Sequence, residues 1–356
     1  MRITLVPNFQ LEYSIQLANA LVERAEVSFP CWDALGSQSV PTLDPRVVTT
    51  TLGAPGRYPW RRLLNELEFF RVLTKGGGDV VHFQNAYSWR TPFVTRLRSP
   101  YVLTVHDPFP HAGLPDPWSF PALSIFAASA NAIVVHGRAQ RDQLVSRFQL
   151  DLDKIRVIPH GEFSFYRNLG PVPEGDGRTF LFLGRITRYK GLEHFLAAIP
   201  SVRQRVRGAH FRIVGEGDLR PYAEAINHVE GLEVVNRFIS PAEIAQEIGR
   251  AAAVVLPYTE ASQSGVAIAA QSLGRPVIVT DVGGLAEDVL DMETGIVVHR
   301  AKFDRIADGI ADAVAFLAES PASRMAMGKK AQKWMETNRS WAGIAEQTMR
   351  LYEALV

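Results

Sequence analysis

The chain has 356 residues, which is too long for one ordinary hydrophobic core and suits two domains of about 150 to 200 residues each. Its 47% hydrophobic and 21% charged residues are typical of a globular protein, and a formal net charge of +1 excludes a global field that attracts nucleic acid. The single cysteine, Cys31, excludes an internal disulfide framework and fits a reducing cytoplasm.

The first apolar run, ITLVP, ends at Pro7 and Asn8. It predicts a first strand, because it is too short for the apolar core of a signal peptide or for a membrane span of about 20 residues. No later window reaches about 18 apolar residues without a charge. We therefore expect a soluble or peripheral protein.

Short apolar runs then alternate with longer helical patterns. The first half contains DVVHF, YVLTVHD, AIVVH and IRVIP, and the second half contains FLFLG, HFRIVG, LEVV, AVVLP and PVIVT. Their apolar residues occupy both odd and even positions along each run. This pattern predicts strands that are buried on both faces, in parallel sheets covered by helices. The alternation of strands and helices indicates the α/β class.

One segment interrupts this alternation. Residues 161–178 read GEFSFYRNLGPVPEGDGR, a composition typical of a linker between two sheets. We predict two doubly wound parallel-sheet domains, residues 1–165 and 170–337, facing a central cleft. Ligands bind at the carboxyl ends of the strands in such sheets, so the candidate site residues are those that follow strands.

Three strand ends in the first half carry histidines. His106 precedes Asp107 after YVLTV, while His82 and His136 end neighbouring strands. A histidine there either holds a sugar hydroxyl or stabilises transferring charge, or it is a satisfied structural residue. Because no cysteine is near and no HxxxH or HExxH spacing occurs, we predict no metal.

Two cations follow FLFLG in the second half. Arg185 and Lys190 stand five residues apart and flank the entry to a helix expected near Gly191. Fixed positive charge beside a helix N-terminus predicts a diphosphate site. Arg188, between them, is interpreted as an ordinary solvated arginine.

Two further loops add polar groups. Gly215 and Gly217 follow HFRIV, where the backbone either turns close to a base or ribose or makes a plain turn; the third glycine of a dinucleotide motif is absent. In PYTEASQSGV, backbone amides are suited to a phosphate. Glu260 either accepts hydrogen bonds from sugar hydroxyls or is a plain helix N-terminal acid.

Together these motifs resemble the family 4 retaining glycosyltransferases. The segments HGEF, FLGRITRYKGLEHFL, IVGEGDL, PYTEASQSGVAIAAQSLGRPVIVTDVGGLAEDV and METGIVV carry the resemblance, most specifically over residues 155–300. The resemblance implies a GT-B fold of two Rossmann-like domains, with the acceptor mostly on the first and a nucleotide-sugar mostly on the second. It also implies that a last helix, residues 340–356, packs back on the first domain.

The resemblance assigns roles by position. Arg185 and Lys190 would hold the donor diphosphate, His106 would lie by the transferred sugar, and Glu260 would hold sugar hydroxyls. The other donor-binding candidates follow the second-half strands and are Gly184, Gly215, Gly217, Ser262, Gln263, Ser264 and Gly265. The acceptor-side candidates follow the first-half strands and are Asn8, His82, Asp107 and His136.

One departure from the family concerns its second glutamate. The family usually has one glutamate on the loop and another in the following helix near the donor ribose, but the second position here falls at Ala269. The EASQSGV loop therefore resembles a divergent branch, in which Gln271 or Glu287 is a candidate substitute. The cations and glycine turns remain.

The function expected from these features is transfer of a hexosyl group, with retention, to a glycan or lipid-linked acceptor in polysaccharide or glycoconjugate biosynthesis. Arg185 and Lys190 would replace a metal, and no cofactor besides the nucleotide-sugar substrate is expected. Two alternatives stay open: a GT-B epimerase or phosphorylase, and a non-catalytic subunit that binds nucleotide-sugars.

Residues 57–73, RYPWRRLLNELEFFRVL, allow two interpretations. At helical spacing, Leu63, Leu64 and Leu67 would face the core of an ordinary surface helix. Alternatively, Arg57, Trp60, Arg61 and Arg62 are exposed and this basic, aromatic-bearing helix lies on an anionic bilayer. The second interpretation places a cytoplasmic enzyme peripherally at the inner face of the cell membrane.

Overall fold

The structure is a computed structural model, and the residues it describes are 1–7, 11–32, 41–52, 59–75, 78–85, 97–108 and 119–356. Asn8 and Arg57 lie outside the described residues. The chain divides into two compact units. The first unit comprises the described residues of Met1–Pro110, Pro115–Gly161 and Ser340–Val356. The described residues of the second unit are Glu162–Arg339.

The first unit contains, among its described residues, a seven-stranded sheet in which every paired strand is parallel to its neighbour. Its order is β3-β2-β1-β4-β5-β6-β7. The strands are β1 Arg2–Val6, β2 Glu26–Trp32, β3 Val48–Leu52, β4 Val80–Phe83, β5 Tyr101–Thr104, β6 Ala132–Val135 and β7 Ile155–Val157. Every residue of β4, β5 and β6 is buried, as predicted from the apolar residues at both odd and even positions of these strands.

The second unit contains a six-stranded parallel sheet of order β10-β9-β8-β11-β12-β13 within Glu162–Arg339. Its strands are β8 Thr179–Leu183, β9 His210–Val214, β10 Leu232–Val235, β11 Ala253–Leu256, β12 Val277–Thr280 and β13 Gly295–Val298. Both sheets reverse direction of winding beside their first strand, which is the doubly wound topology. The predicted α/β class is confirmed.

Helices connect the strands of both units. In the first unit they are α1 Leu11–Leu21, α2 Pro59–Lys75, α3 Ser119–Ser129 and α4 Arg138–Phe148. In the second unit they are α5 Leu192–Arg205, α6 Ala223–Asn227, α7 Pro241–Arg250, α8 Gly265–Ser272, α9 Ile306–Glu319 and α10 Pro321–Asn338. Helix α7 begins at Pro241 behind a capping box of Ser240 and Glu243, which explains the helix start that the sequence predicts there.

The last helix, α11 Trp341–Glu353, belongs to the first unit. Trp341, Ile344 and Tyr352 are buried in the same hydrophobic cluster as α1. Its N-cap is Ser340, whose hydroxyl accepts a hydrogen bond from the Gly343 amide. Packing of apolar side chains, together with this cap, holds the carboxyl end of the chain on the first unit.

Helix α2 presents a different face to the core than one interpretation of its sequence predicts. Phe69 and Leu73, four residues apart, are buried against the sheet, whereas Leu64 is 55% exposed and Leu67 is 51% exposed. The expectation that these two leucines face the core is therefore wrong. The reason is the helical period, which gives Phe69 and Leu73 a common face and turns Leu64 and Leu67 away from it.

Buried groups also anchor both ends of the second unit. Near its start, the Phe163 amide donates to the Ser272 hydroxyl at 3.0 Å. Near its end, the Arg339 guanidinium lies 2.5 Å from the Asp288 carboxylate, and both side chains are buried. Burial raises the pKa of Asp288 to about 6, while the charge of Arg339 opposes that rise. The Glu162 amide donates to the Arg339 carbonyl, so the two ends of this unit lie side by side.

Candidate functional site

Four loops at the carboxyl edge of the second sheet contact one another directly. They follow β9, β8, β11 and β12, which are consecutive neighbours in the sheet. The Ile186 amide donates to the Glu216 carbonyl at 2.8 Å, which joins the loops after β8 and β9. The Thr259 amide donates to the Tyr189 carbonyl at 2.8 Å, which joins the loops after β8 and β11. These two hydrogen bonds join the loops after β9, β8 and β11 into one surface at the carboxyl edge of the sheet.

Two glycines make the closest contacts between these loops. Gly191 has φ +67°, and a Cβ built there would lie 1.9 Å from the Pro257 carbonyl oxygen. Gly283 has φ +49°, and its Cβ would lie 1.8 Å from the carbonyl oxygen of Ala261. Only glycine fits such a left-handed position against another backbone. Gly184, Gly215 and Gly217 lie in the same surface, where the Gly217 amide donates to the Asn236 side chain.

The two predicted phosphate-binding cations lie on the loop after β8. Arg185 is exposed, and among the described residues it makes no ion pair. Lys190 is half-buried, with its Nζ 3.8 Å from the centroid of the Tyr258 ring. A cation over an aromatic face is attracted to it, so the ring holds the ammonium beside the loop after β11.

The polar run Ser262–Gly265 leads into α8. Ser264 is its N-cap, with a hydroxyl that accepts from the Ala267 amide at 3.4 Å and lies 3.2 Å from the Tyr258 hydroxyl. The first amides of a helix have no acceptor within it and are suited to an anion. The buried Gln263 Oε1 has no hydrogen-bond partner in the described part of the chain. Glu260 is exposed on the same loop. The run thus offers the first amides of α8 and, in the described part of the chain, one unpaired acceptor at the same helix end.

The structure distinguishes between Gln271 and Glu287 as candidate substitutes for the missing second glutamate. Gln271 is fully buried, and its Nε2 donates to the Asp288 carbonyl at 2.9 Å, so it belongs to the core. Glu287 is exposed, on a short 3-10 helix that follows the glycine pair after β12. Ala269 is buried in α8. Of these residues, only Glu287 presents a carboxylate to solvent near the four loops.

His82 has a complete set of partners inside the first unit. Its Nδ1 lies 2.6 Å from the Tyr352 hydroxyl and its Nε2 lies 2.7 Å from the Thr104 hydroxyl. Burial lowers the pKa of His82 to about 3, with a smaller contribution from His136. These contacts make His82 a link between α11 and the sheet, because neither ring nitrogen is left for a ligand.

His106 and His136 form a buried pair at the carboxyl ends of β5 and β6. The Nδ1 of His106 lies 3.1 Å from the Nε2 of His136, and the Nδ1 of His136 lies 2.9 Å from the Ile158 carbonyl oxygen. The Nε2 of His106 is buried without a hydrogen-bond partner in the described part of the chain. Burial, followed by the neighbouring histidines, lowers the pKa of His106 well below its usual range. Asp107 is exposed next to this pair.

Three further residues around this pair were missed by sequence reasoning. The ring of Tyr13 lies 5.0 Å from that of His106 and 4.8 Å from that of His160. The Gln140 side chain bridges the two histidine-bearing loops. His160 follows β7 in the run VIPHG, so the strand-end rule that found the other histidines also applies to it. Tyr13 and Gln140 lie within helices and carry no such signal.

Comparison with known proteins gives matches in both units. The protein-family model for "Glycosyltransferase Family 4" matches residues 12–161. The protein-family model for "Glycosyl transferases group 1" matches residues 177–318. An uncharacterized glycosyltransferase of Methanocaldococcus jannaschii is 27% identical over 302 residues, which is 77% of this chain and 75% of that protein. D-inositol 3-phosphate glycosyltransferase of Pseudarthrobacter chlorophenolicus is 32% identical over 244 residues, 64% of this chain and 56% of that protein.

Solved structures show the same fold. Sucrose-phosphate synthase from Thermosynechococcus elongatus has a TM-score of 0.76 at 21% identity, over 100% of this chain and 99% of that one. Anabaena HepE, in complex with UDP-glucose, has a TM-score of 0.73 at 13% identity and covers 100% of each chain.

The two matched regions span most of the chain, and both belong to glycosyltransferase families. The chain is therefore a glycosyltransferase, and the predicted GT-B fold is confirmed. Its amino-terminal region is of the family 4 type and its carboxyl-terminal region is of the group 1 type.

The loop contact at Gly191 makes a testable prediction about stability. We expect Gly191→Ala to lower the thermal unfolding midpoint well beyond Gly231→Ala. Gly231 has almost the same backbone angle, φ +64°, but its nearest neighbour is the flexible Arg203 side chain at 3.8 Å. Both variants carry left-handed strain of about 1 to 2 kcal/mol, and only Gly191→Ala adds a clash with a backbone carbonyl. Equal midpoints measured by calorimetry would contradict the proposed loop contact.

Proposed function

We propose that the protein transfers a hexosyl group from a nucleotide-sugar, with retention of configuration, to a glycan or lipid-linked acceptor. The observation that supports this proposal is that Arg185 and Lys190 lie on one loop, with the Lys190 Nζ over the ring of Tyr258. The Tyr258 hydroxyl lies 3.2 Å from that of Ser264, the N-cap of α8. The similar protein HepE has been solved in complex with UDP-glucose, and the relatives include glycogen synthase of Mycobacterium tuberculosis, which supports a nucleotide-sugar donor and a glycan acceptor. Polysaccharide or glycoconjugate biosynthesis is the corresponding role.

The second unit would hold the donor. Arg185 and Lys190 neutralise the diphosphate, and the amides of Ser264 and Gly265 add uncharged donors at the helix end. Glu260 accepts hydrogen bonds from hydroxyls of the sugar, together with Ser262 and the unpaired Gln263 side chain. The turns at Gly184, Gly215 and Gly217 bring the backbone close to the ribose and base.

The proposed reaction requires little covalent participation of protein side chains. The bond between the anomeric carbon and the diphosphate breaks as the acceptor hydroxyl bonds to the same face of the sugar. The hydroxyl proton passes to an oxygen of the leaving diphosphate. Arg185 and Lys190 stabilise the negative charge that develops there, and we assign no metal or cofactor to this step.

The first unit would hold the acceptor and contribute His106, which accepts a hydrogen bond from a hydroxyl of the transferred sugar. Asp107 and Asn8 are acceptor-side candidates; Asn8 lies outside the described residues. His82 and His136 act through their neighbours, because their ring nitrogens bond within the unit.

The phosphate assignment predicts selective loss of activity. Arg185→Ala and Lys190→Ala should each reduce turnover about 100-fold or more, since each removes a charge-assisted contact worth about 1.5 to 3 kcal/mol or more at the transition state. Arg188→Ala is the matched control, because Arg188 is an exposed arginine of the same loop and should keep turnover near wild type. Release of nucleotide diphosphate from UDP-, GDP- and ADP-sugars, assayed in excess EDTA, measures the effect.

Several outcomes of this assay would overturn the proposal. Wild-type rates in Arg185→Ala or Lys190→Ala would remove the phosphate site, and complete loss in EDTA, restored by magnesium or manganese, would reject the metal-free step. Donor binding without turnover, with every acceptor supplied, would favour a nucleotide-sugar-binding subunit, which the alanine at position 269 makes the second candidate.

A peripheral membrane contact through residues 57–73 extends this proposal. Leu64 and Leu67 are exposed on α2, and helical spacing of the sequence puts Trp60 and Arg61 on the same face, although their side chains lie outside the described part. Apolar, aromatic and basic side chains on one face are typical of helices that lie on anionic bilayers. Among the described residues, no helix has the length and apolar character of a membrane span.

This contact predicts charge-dependent binding to vesicles. The protein should sediment with liposomes that contain anionic lipid, less so as salt rises, because the attraction decays within a Debye length. Replacing Arg57, Arg61 and Arg62 by serine should release it and leave donor binding intact. The control replaces three exposed cations of the second unit, Arg207, Lys329 and Lys333, and should sediment like wild type. Wild-type protein left in the supernatant at low salt would contradict the contact.

A further inference from the structure

A buried ion pair ties the loop after β12 to the end of the second unit. The Arg339 Nη2 lies 2.5 Å from the Asp288 Oδ1, and both side chains are buried. Both groups are charged at neutral pH, because burial raises the pKa of Asp288 only to about 6 and an arginine stays protonated. In the described part of the chain, Asp288 is the only carboxylate in an ion pair with Arg339, whose Nη1 is buried without a hydrogen-bond partner. Loss of the Asp288 charge would therefore leave the buried guanidinium without a counter-ion, which is costly.

Both partners make further contacts within the second unit. The Gln271 Nε2 of α8 donates to the Asp288 carbonyl at 2.9 Å. The Glu162 amide donates to the Arg339 carbonyl at 3.0 Å. The Arg339 guanidinium lies 5.0 Å from the ring of Trp334 in α10, and a cation is attracted to an aromatic face. The pair therefore connects the loop after β12 with α8, with α10 and with the first residue of the unit.

The segment between β12 and Asp288 contacts the loop after β11. Inside it the Glu287 amide donates to the Gly284 carbonyl at 3.2 Å, so Asp288 and Gly284 belong to one compact turn. A Cβ built on Gly284 would lie 2.2 Å from the Ser262 carbonyl oxygen, because the two backbones are in contact there. A displacement of Asp288 would therefore disturb the run Ser262–Gly265, which leads into α8.

We propose that Asp288 and Arg339 are positioning residues for the donor: their ion pair holds the loop after β12 against the loop after β11 and so fixes the amides at the start of α8. This inference rests on the proposed function, in which those amides bind the diphosphate. Neither side chain touches the donor, since both are buried. They act on its affinity because a loop that is already ordered loses less conformational entropy when a ligand binds.

Removal of the charge at position 288 gives the first test. Asp288→Asn keeps the size of the side chain and leaves Arg339 without a counter-ion. We expect the affinity for nucleotide diphosphate, measured by titration calorimetry with UDP, GDP and ADP, to fall about 2- to 30-fold, which is the range for substitutions that act through intervening residues. Asp288→Asn combined with Arg339→Gln places two neutral, hydrogen-bonding side chains opposite each other and should recover most of the affinity.

Glu247→Gln is the matched control. Glu247 of α7 is buried, and its Oε2 lies 2.6 Å from the Arg212 Nε on β9. The other described ion pairs of these two residues are with Glu233 and Arg250, away from the loops after β11 and β12. Glu247→Gln should therefore lower the thermal unfolding midpoint, as Asp288→Asn does, but leave the affinity for nucleotide diphosphate near that of wild type.

Amide hydrogen exchange of the free protein observes the positioning without any ligand. In Asp288→Asn, residues 261–266 and 283–288 should exchange faster than in wild type, because the backbone of both loops opens more often once the ion pair is lost. In Glu247→Gln the same two segments should exchange at the wild-type rate, since the control substitution leaves the contact between the loops intact.

The two measurements distinguish failure of this inference from failure of the proposed function. A folded Asp288→Asn protein with wild-type exchange in both loops, or with the same diphosphate affinity as Glu247→Gln, would overturn the positioning role. If Asp288→Asn does not fold, Arg339→Lys is measured instead, because it keeps the charge but loses the planar guanidinium; wild-type affinity and exchange in that variant would overturn the role equally. If the loops respond as expected but wild type binds no nucleotide diphosphate, the proposed function fails and the positioning of the loops by the ion pair stands.

Discussion

Backbone contacts between neighbouring loops at the carboxyl edge of the second sheet are the constraint on which the proposed donor site depends. Gly191 and Gly283 let the loops approach to distances that no side chain allows, and inter-loop hydrogen bonds keep the strand ends in register. The Tyr258 ring holds the Lys190 ammonium, and its hydroxyl lies 3.2 Å from that of Ser264 at the start of α8. Rigid placement matters because preorganised charges stabilise a leaving diphosphate without reorganising during the reaction.

The first unit contains a separate buried cluster of histidines, in which burial lowers the pKa of His82 and of His106 and hydrogen bonds orient their rings. Helix α11 contributes Trp341 and Tyr352 to that environment, and Tyr352 satisfies one nitrogen of His82. The Nδ1 of His136 lies 2.9 Å from the Ile158 carbonyl oxygen, and its Nε2 lies 3.1 Å from the Nδ1 of His106. The carboxyl-terminal segment of the chain is thus part of the histidine environment as well as of the core, so packing and the candidate chemistry share residues.

The sequence predicts much of the fold and the loops of the site, because buried parallel strands are continuous apolar runs and ligands follow their ends. The sequence did not show which of Gln271 and Glu287 is exposed, because the position of the buried Gln271 side chain depends on a hydrogen bond to the distant Asp288 carbonyl. It made His106 a candidate beside the transferred sugar and His82 and His136 acceptor-side candidates, but it did not show that Tyr352 and Ile158, distant in sequence, contact ring nitrogens of His82 and His136. The exposed leucines of α2 were ambiguous because a helix with apolar residues on two faces has no unique buried side.

The central claim is that the carboxyl edge of the second sheet holds a nucleotide-sugar, and amide hydrogen exchange during donor binding tests it most directly. UDP-, GDP- and ADP-sugars are added in turn, and exchange is read by mass spectrometry across the whole chain. The account predicts that at least one donor protects residues 184–191, 215–217, 260–266 and 283–287 together, because bound ligand stabilises the loops it contacts. Protection confined to other segments, with these four loops unchanged by a donor that binds, would contradict it.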